Sequence, residues 1–167
     1  NKNWREIFGP VNKFMRDQEL ILRFFALYYN LTNYEKPMKE FLNKFMARNK
    51  SLDKNISEED FVDLFERTIR GIHDCIGDKA FRRSKAFNAA YFDATMIGFA
   101  RRLARGAIED KAGAQEAYNL LIKSRKFRNV SEEATTDEAN VKRRIDLATK
   151  AFATFSCISL RELSRSF

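Results

Sequence analysis

Apolar residues along this chain recur at three- and four-residue spacing, and they almost never alternate with polar ones. That period is the signature of helices packed by one face, whereas strands would show a two-residue repeat. Six main helices are predicted. The first follows Asp17, read as its N-cap, and runs to about Asn30. Leu20, Ile21, Leu22, Phe24, Phe25, Leu27, Tyr28 and Tyr29 surround most of its cylinder, so it is expected at the centre of the fold. The second starts at Pro37, with Met38, Phe41, Leu42, Phe45 and Met46 on one face. After a polar stretch, Ser57-Glu58-Glu59-Asp60 has the shape of a capping box. The third helix then buries Phe61, Leu64, Phe65, Thr68, Ile69 and Ile72 and stops at Gly77. The fourth spans about Asn88 to Arg105, the fifth about Ala114 to Lys126, and the sixth follows Thr135 or Thr136 with Val141, Ile145, Ala148, Phe152 and Phe155 inward. Gly98, inside the fourth helix, costs about 1 kcal/mol relative to alanine unless close packing needs the missing side chain.

Only six glycines and two prolines interrupt 167 residues, which strengthens the helical reading. No repeat of fixed period and no convincing linker divides the chain. The expectation is therefore one all-α domain, residues 1–167, with about six helices around an aromatic-rich core. Composition agrees: 44% of residues are hydrophobic and 16 are phenylalanine, too apolar for a disordered chain. The longest apolar run, Phe24 to Tyr29, is far short of the ~20 residues of a membrane helix, and no N-terminal stretch reads as a signal peptide. Two cysteines, Cys75 and Cys157, are too few for a disulfide framework, so a cytoplasmic location is expected. The sequence opens on Asn1, not Met, and is expected to be a fragment of a longer multidomain protein.

Motifs for chemistry are sparse. There is no glycine-rich phosphate loop, and the single histidine, His73, stands two residues from Cys75 without metal-ligand spacing. Glu58, Glu59, Asp60, Asp137 and Glu138 are explained by helix starts, where negative charge complements the helix dipole. No catalytic residue, metal site or cofactor is expected in this chain. The charge is more informative. The net value is +8, and it is uneven. Between Asp78 and Arg105 stand Lys79, Arg82, Arg83, Lys85, Arg101, Arg102 and Arg105 against only Asp78 and Asp93. A second cluster, Lys123, Arg125, Lys126 and Arg128, contains no acid. These eleven cations are candidates for contact with DNA phosphates, with a solvated or inter-domain face as the alternative.

The segment Met15 to Phe24 holds a second set of candidates. Glu19 and Arg23 form a favourable i,i+4 pair, yet Arg16 and Arg23 sit beside a very apolar helix, where charge must be paired or surfaced. Arg16, Asp17, Glu19 and Arg23 are therefore candidates for a domain junction, through structural pairing or by clamping an anionic ligand.

The run Met15 to Ala26, MRDQELILRFFA, resembles a signature of the DGQQR-motif proteins. These are ParB/sulfiredoxin-like proteins found as the N-terminal part of GmrSD-type modification-dependent restriction systems. Met38-Lys39-Glu40-Phe41-Leu42-Asn43, Gly77 with Ala80-Phe81-Arg82, and Phe87-Asn88 with Phe92-Asp93-Ala94 follow in the family's order, so the resemblance covers about residues 12–100. It implies that this chain is the helical region after a ParB-like domain of a nucleotide-dependent DNA endonuclease component. The DGQQR motif itself is not in the chain, and no family catalytic residue falls on these positions. The expectation is thus a non-catalytic helical region of a restriction or phage-defence protein. It would support an upstream ParB-like domain and offer a basic surface to double-stranded DNA, with no membrane partner. The alternative is an interaction module whose basic face and first predicted helix dock another domain or subunit.

Overall fold

A computed structural model of the chain describes residues 1–50, 57–82 and 86–153. Among them are eight α-helices: α1 (Lys2–Phe8), α2 (Arg16–Asn30), α3 (Met38–Arg48), α4 (Glu58–Cys75), α5 (Ala89–Leu103), α6 (Lys111–Lys123), α7 (Arg125–Glu132) and α8 (Glu138–Ala153). A 3₁₀ turn, Leu31–Asn33, extends α2, and the described residues form no strand beyond one isolated bridge between Arg82 and Phe87. The all-α expectation holds, with eight helices in place of six. Arg83, Lys85, Phe155 and Cys157 lie outside the described residues, as does most of the polar stretch before Ser57.

The centre of the fold is α5, not α2. Every residue from Ala90 to Ala100 is buried, Asp93 and Thr95 included. Helix α2 lies on the outside of it, with Leu20, Phe24, Ala26 and Leu27 inward and Tyr29 at the surface. Sequence alone favoured α2 because its large side chains look more apolar. Helix α5 instead uses small residues, Ala90, Ala94, Gly98 and Ala100, which let neighbours approach from every side. Helix α8 takes the closest approach. A Cβ on Gly98 would stand 2.7 Å from Phe152 Cδ2 and 3.1 Å from the Ala148 carbonyl carbon, so close packing does require the glycine. Asp93 pairs with Arg144, and the Phe99 and Phe152 rings meet edge to face at 4.6 Å, so the two helices run parallel.

Several local expectations hold. Ser57 Oγ accepts from the Asp60 N–H while the Asp60 carboxylate accepts from the Ser57 N–H, closing the capping box of α4. Gly77, at φ 94, ends the helix by donating to the Ile72 carbonyl. Asn88 caps α5 by accepting from the Ala90 and Tyr91 amides.

Three details differ. Asp17 is not the cap of α2, because Met15 in a left-handed conformation (φ 58) precedes the helix. The predicted fifth helix breaks at Ser124, whose extended backbone separates α6 from α7. Helix α1, seven residues long, is too short to show a period in the sequence. It docks by burying Trp4 among Phe8, Phe65, Phe87 and Phe92, at centroid distances of 5.0 to 6.5 Å. His73 Nε2 lies 2.7 Å from Glu6 Oε2 and ties α4 to α1, a structural use of the single histidine.

Candidate functional site

The candidate cations fall into groups separated by the length of α5. At its C-terminal end stand Arg101, Arg102 and Arg105. Arg101 donates to Thr149 Oγ1 at 3.1 Å, and Arg102 donates to the carbonyls of Gly106 and Ala107, holding the chain as it leaves the helix. Arg105 is exposed and makes no ion pair among the described residues. The opposite end holds Lys79 and Arg82. Arg82 donates to the Ile7 carbonyl at 3.0 Å and lies over the Phe87 ring, whereas Lys79 is exposed. Fifteen residues of helix at ~1.5 Å each put roughly 20 Å between these two ends.

The second cluster lies near the N-terminal end. Tyr118 of α6 accepts from the Phe81 amide, and its burial pushes the phenol pKa up to about 12. Phe127 of α7 packs on Tyr91, with ring centroids 5.2 Å apart. These anchors carry Lys123, Arg125, Lys126 and Arg128 with them. Lys123, Arg125 and Lys126 are exposed, Arg128 is half-buried, and none of the four has an ion-pair partner among the described residues. They surround the first turn of α7, whose N-cap Ser124 makes no side-chain capping bond. A helix N-terminus carries partial positive charge, so cations there are unfavourable without an anion.

The junction candidates divide differently. Arg23 and Asp17 are consumed within the fold. Arg23 donates to both carboxylate oxygens of Asp93, Nε to Oδ1 at 3.1 Å and Nη2 to Oδ2 at 2.5 Å. Arg144, fully buried, donates to the same Oδ2 at 2.9 Å and to the Thr135 carbonyl at 2.6 Å. Burial alone would raise the Asp93 pKa, but the two guanidinium groups override it and hold the carboxyl below its ordinary range. Asp17 is covered by Arg5, 2.8 Å away, which lowers its pKa and joins α1 to α2. Glu19 lies 4.0 Å from Arg23 at the surface. Arg16 is exposed.

Two depressions flank the start of α2, and the sequence pattern shows neither. A cleft of about 450 Å³ is lined, among the described residues, by Phe8, Pro10, Val11, Asn12, Lys13, Arg16, Arg82 and Phe87, three cations and no carboxylate. A groove of about 640 Å³ between α2 and α3 is lined mainly by Phe14, Met15, Leu22, Met38, Leu42 and Met46, with Glu19 and Lys39 at its rim. The available signal was the pair Phe14-Met15, apolar residues just ahead of a helix start and outside its helical phase.

The described residues contain no group of three His, Cys, Asp or Glu side chains placed to hold a metal, and no helix long and apolar enough to cross a membrane. Cys75 is buried, which raises its thiol pKa and disfavours the thiolate. No family model, curated protein or solved structure matches the chain.

Proposed function

We propose that this chain is a non-catalytic helical region of a DNA-restriction or phage-defence protein. In this reading it supports a ParB-like catalytic domain preceding it and offers a basic surface to duplex DNA. The observation that carries the DNA role is the set Lys123, Arg125 and Lys126, exposed around the first turn of α7 and without an ion-pair partner among the described residues. Arg125 and Lys126 at that end of a helix repel its dipole, while Lys123 closes the last turn of α6 beside them, and a phosphate backbone offsets the repulsion. Lys79 and Arg105 add exposed positive charge elsewhere, and Arg83 and Lys85 belong to the same proposal through their place in the sequence. The resemblance of Met15 to Ala26 to the DGQQR-motif proteins supports the restriction context.

The test is a salt titration of duplex DNA binding by the chain. Binding should be weak and should fall with salt, with a log–log slope of about −0.9 for each phosphate engaged. Lys123→Glu with Lys126→Glu should weaken it for every sequence and flatten the slope by about one unit per lost contact. Absence of binding at ~50 mM salt, where phosphate contacts are strong, sinks the DNA role.

A second reading, an interaction module built on α2, is favoured by one observation. Phe14, Met15 and Met46 are 79%, 61% and 47% exposed and line one groove between α2 and α3, and Val11, 70% exposed, lines the adjoining cleft. Large apolar side chains grouped in this way are characteristic of binding surfaces.

A further inference from the structure

The cationic cleft and the apolar groove are separated by a single turn of chain. Lys13 and Arg16 line the cleft, while Phe14 and Met15, between them in sequence, line the groove. This alternation is enforced by the backbone. Asn12 Oδ1 accepts from the Phe14 amide, the Asn12 carbonyl accepts from the Met15 amide, and Met15 sits at φ 58. A left-handed conformation costs a side chain such as methionine roughly 1–2 kcal/mol. Here it leaves Phe14 and Met15 exposed toward the groove and Arg16 toward the cleft, with the Lys13 ammonium between the two, 4.9 Å from the centroid of the Phe14 ring. Phe14 and Met15 both lie outside the buried core formed by the described residues.

We infer that this ridge is a docking surface for an acidic amphipathic segment of another protein. The segment would place apolar side chains in the α2–α3 groove and carboxylates in the cleft beside it. The inference deepens the second reading above by naming the partner's chemistry. Charge complementarity selects the occupant. The cleft presents the exposed cations Lys13 and Arg16, with no carboxylate among its described lining residues, and Asp17, in the same turn, is already taken by Arg5. At the groove rim Glu19 and Lys39 balance one another, so the sign is set by the cleft. Met15, Met38 and Met46 line the groove, and flexible thioether side chains suit a surface that adapts to an inserted helix. A second copy of the chain is a poorer occupant, because its corresponding ridge is cationic as well.

The test is selection of short peptides from a displayed random library against the whole chain, followed by affinity measurement on the enriched peptides. Enrichment of peptides that combine Asp or Glu with Leu, Phe or Trp is expected. Lys13→Glu with Arg16→Glu should weaken those peptides about tenfold or more, and Met46→Asp should do the same through the apolar arm. All three residues are exposed, and circular dichroism checks that each variant keeps its helices. Enriched peptides without acidic residues, or peptides indifferent to Lys13→Glu with Arg16→Glu, overturn the inference. So does an empty selection. If the same charge reversal instead abolishes duplex DNA binding while no peptide is enriched, the cleft serves nucleic acid and the protein partner is wrong. Loss of DNA binding through Lys123 and Lys126 alone bears only on the DNA reading, so the two failures are distinguishable.

Discussion

Arg23 and Asp93, seventy residues apart in sequence, form a two-point ion pair inside the domain, with Arg23 donating from Nε and Nη2 to the two carboxylate oxygens. Arg144 then closes on the same carboxylate from α8. One acidic side chain of the central helix therefore fixes the helices on either side of it. The arrangement also sets their rotation, because a guanidinium fork meets a carboxylate in few geometries. Two buried arginines against one aspartate leave an excess of positive charge. The Thr135 carbonyl, accepting from Arg144, and the surface carboxylate of Glu19, 4.0 Å from Arg23, moderate it.

Replacing Asp93 should be among the most damaging single changes in the chain. Asp93→Asn preserves shape but leaves Arg144 without a counter-charge and Arg23 with only the surface Glu19, a loss of about 3–5 kcal/mol by analogy with other broken buried pairs. Urea unfolding followed by circular dichroism measures it. A loss under ~1 kcal/mol, the range of surface ion pairs, would mean that water reaches the triad. Replacing Arg23, Asp93 and Arg144 together by apolar residues should cost far less than Asp93→Asn alone, because no charge is then stranded.

The same triad makes acid the chain's weak condition. Asp93 has a folded-state pKa below the ~3.9 of a free aspartate, so in that range the unfolded chain binds more protons than the folded one. Its contribution is complete above about pH 5 and is lost as pH falls through the folded value. Asp17, Asp60, Asp137 and Glu138 are lowered too, through Arg5, Ser57, Ala139 and Lys36 respectively, and they act in the same direction. Urea midpoints should therefore be flat near neutrality and fall below about pH 4. The gap between wild type and Asp93→Asn should narrow there. Parallel curves for the two proteins down to acid pH would show that Asp93 is not the titrating contributor.

How far the sequence revealed these features depends on the range of the interactions. Local signals are legible: the Ser57–Asp60 box, the Asn88 start of α5 and the Gly77 stop need only neighbours in the chain. Arg23 stood out as a charge on an apolar helix, but nothing local identifies Asp93 and Arg144 as its partners. Asp17 has the chemistry of a cap because a cap and the second residue of a helix favour the same side chains. Only the left-handed Met15 distinguishes them. Helices α1 and α7 are too short for their periodicity to stand out. The basic candidates were legible as a composition, whereas their division between the two ends of α5 is a property of the packing. The groove and cleft around Phe14 and Lys13 arise where separate elements meet, so no single segment encodes them.

Glycine at two helical positions offers a paired test of that packing. Both Gly98 and Gly71 lie inside helices, where alanine is intrinsically favoured by about 1 kcal/mol. At Gly98 the added Cβ meets Phe152 at 2.7 and 3.0 Å and the Ala148 backbone at 3.1 Å. Phe152 is fully buried against Phe99, so neither obstacle can move without separating α5 from α8. Overpacking of this kind costs about 1–3 kcal/mol, enough to exceed the propensity gain, and Gly98→Ala should lower the thermal midpoint. At Gly71 the nearest atom is Leu103 Cδ1 at 3.3 Å, on a half-buried side chain in the last turn of α5. That methyl can turn aside by a few tenths of an ångström, and Gly71→Ala should leave the midpoint unchanged or raise it. Thermal unfolding of the two variants side by side decides the matter. A Gly98→Ala protein as stable as Gly71→Ala would show that α8 does not pack against α5 at Gly98 as closely as these distances require.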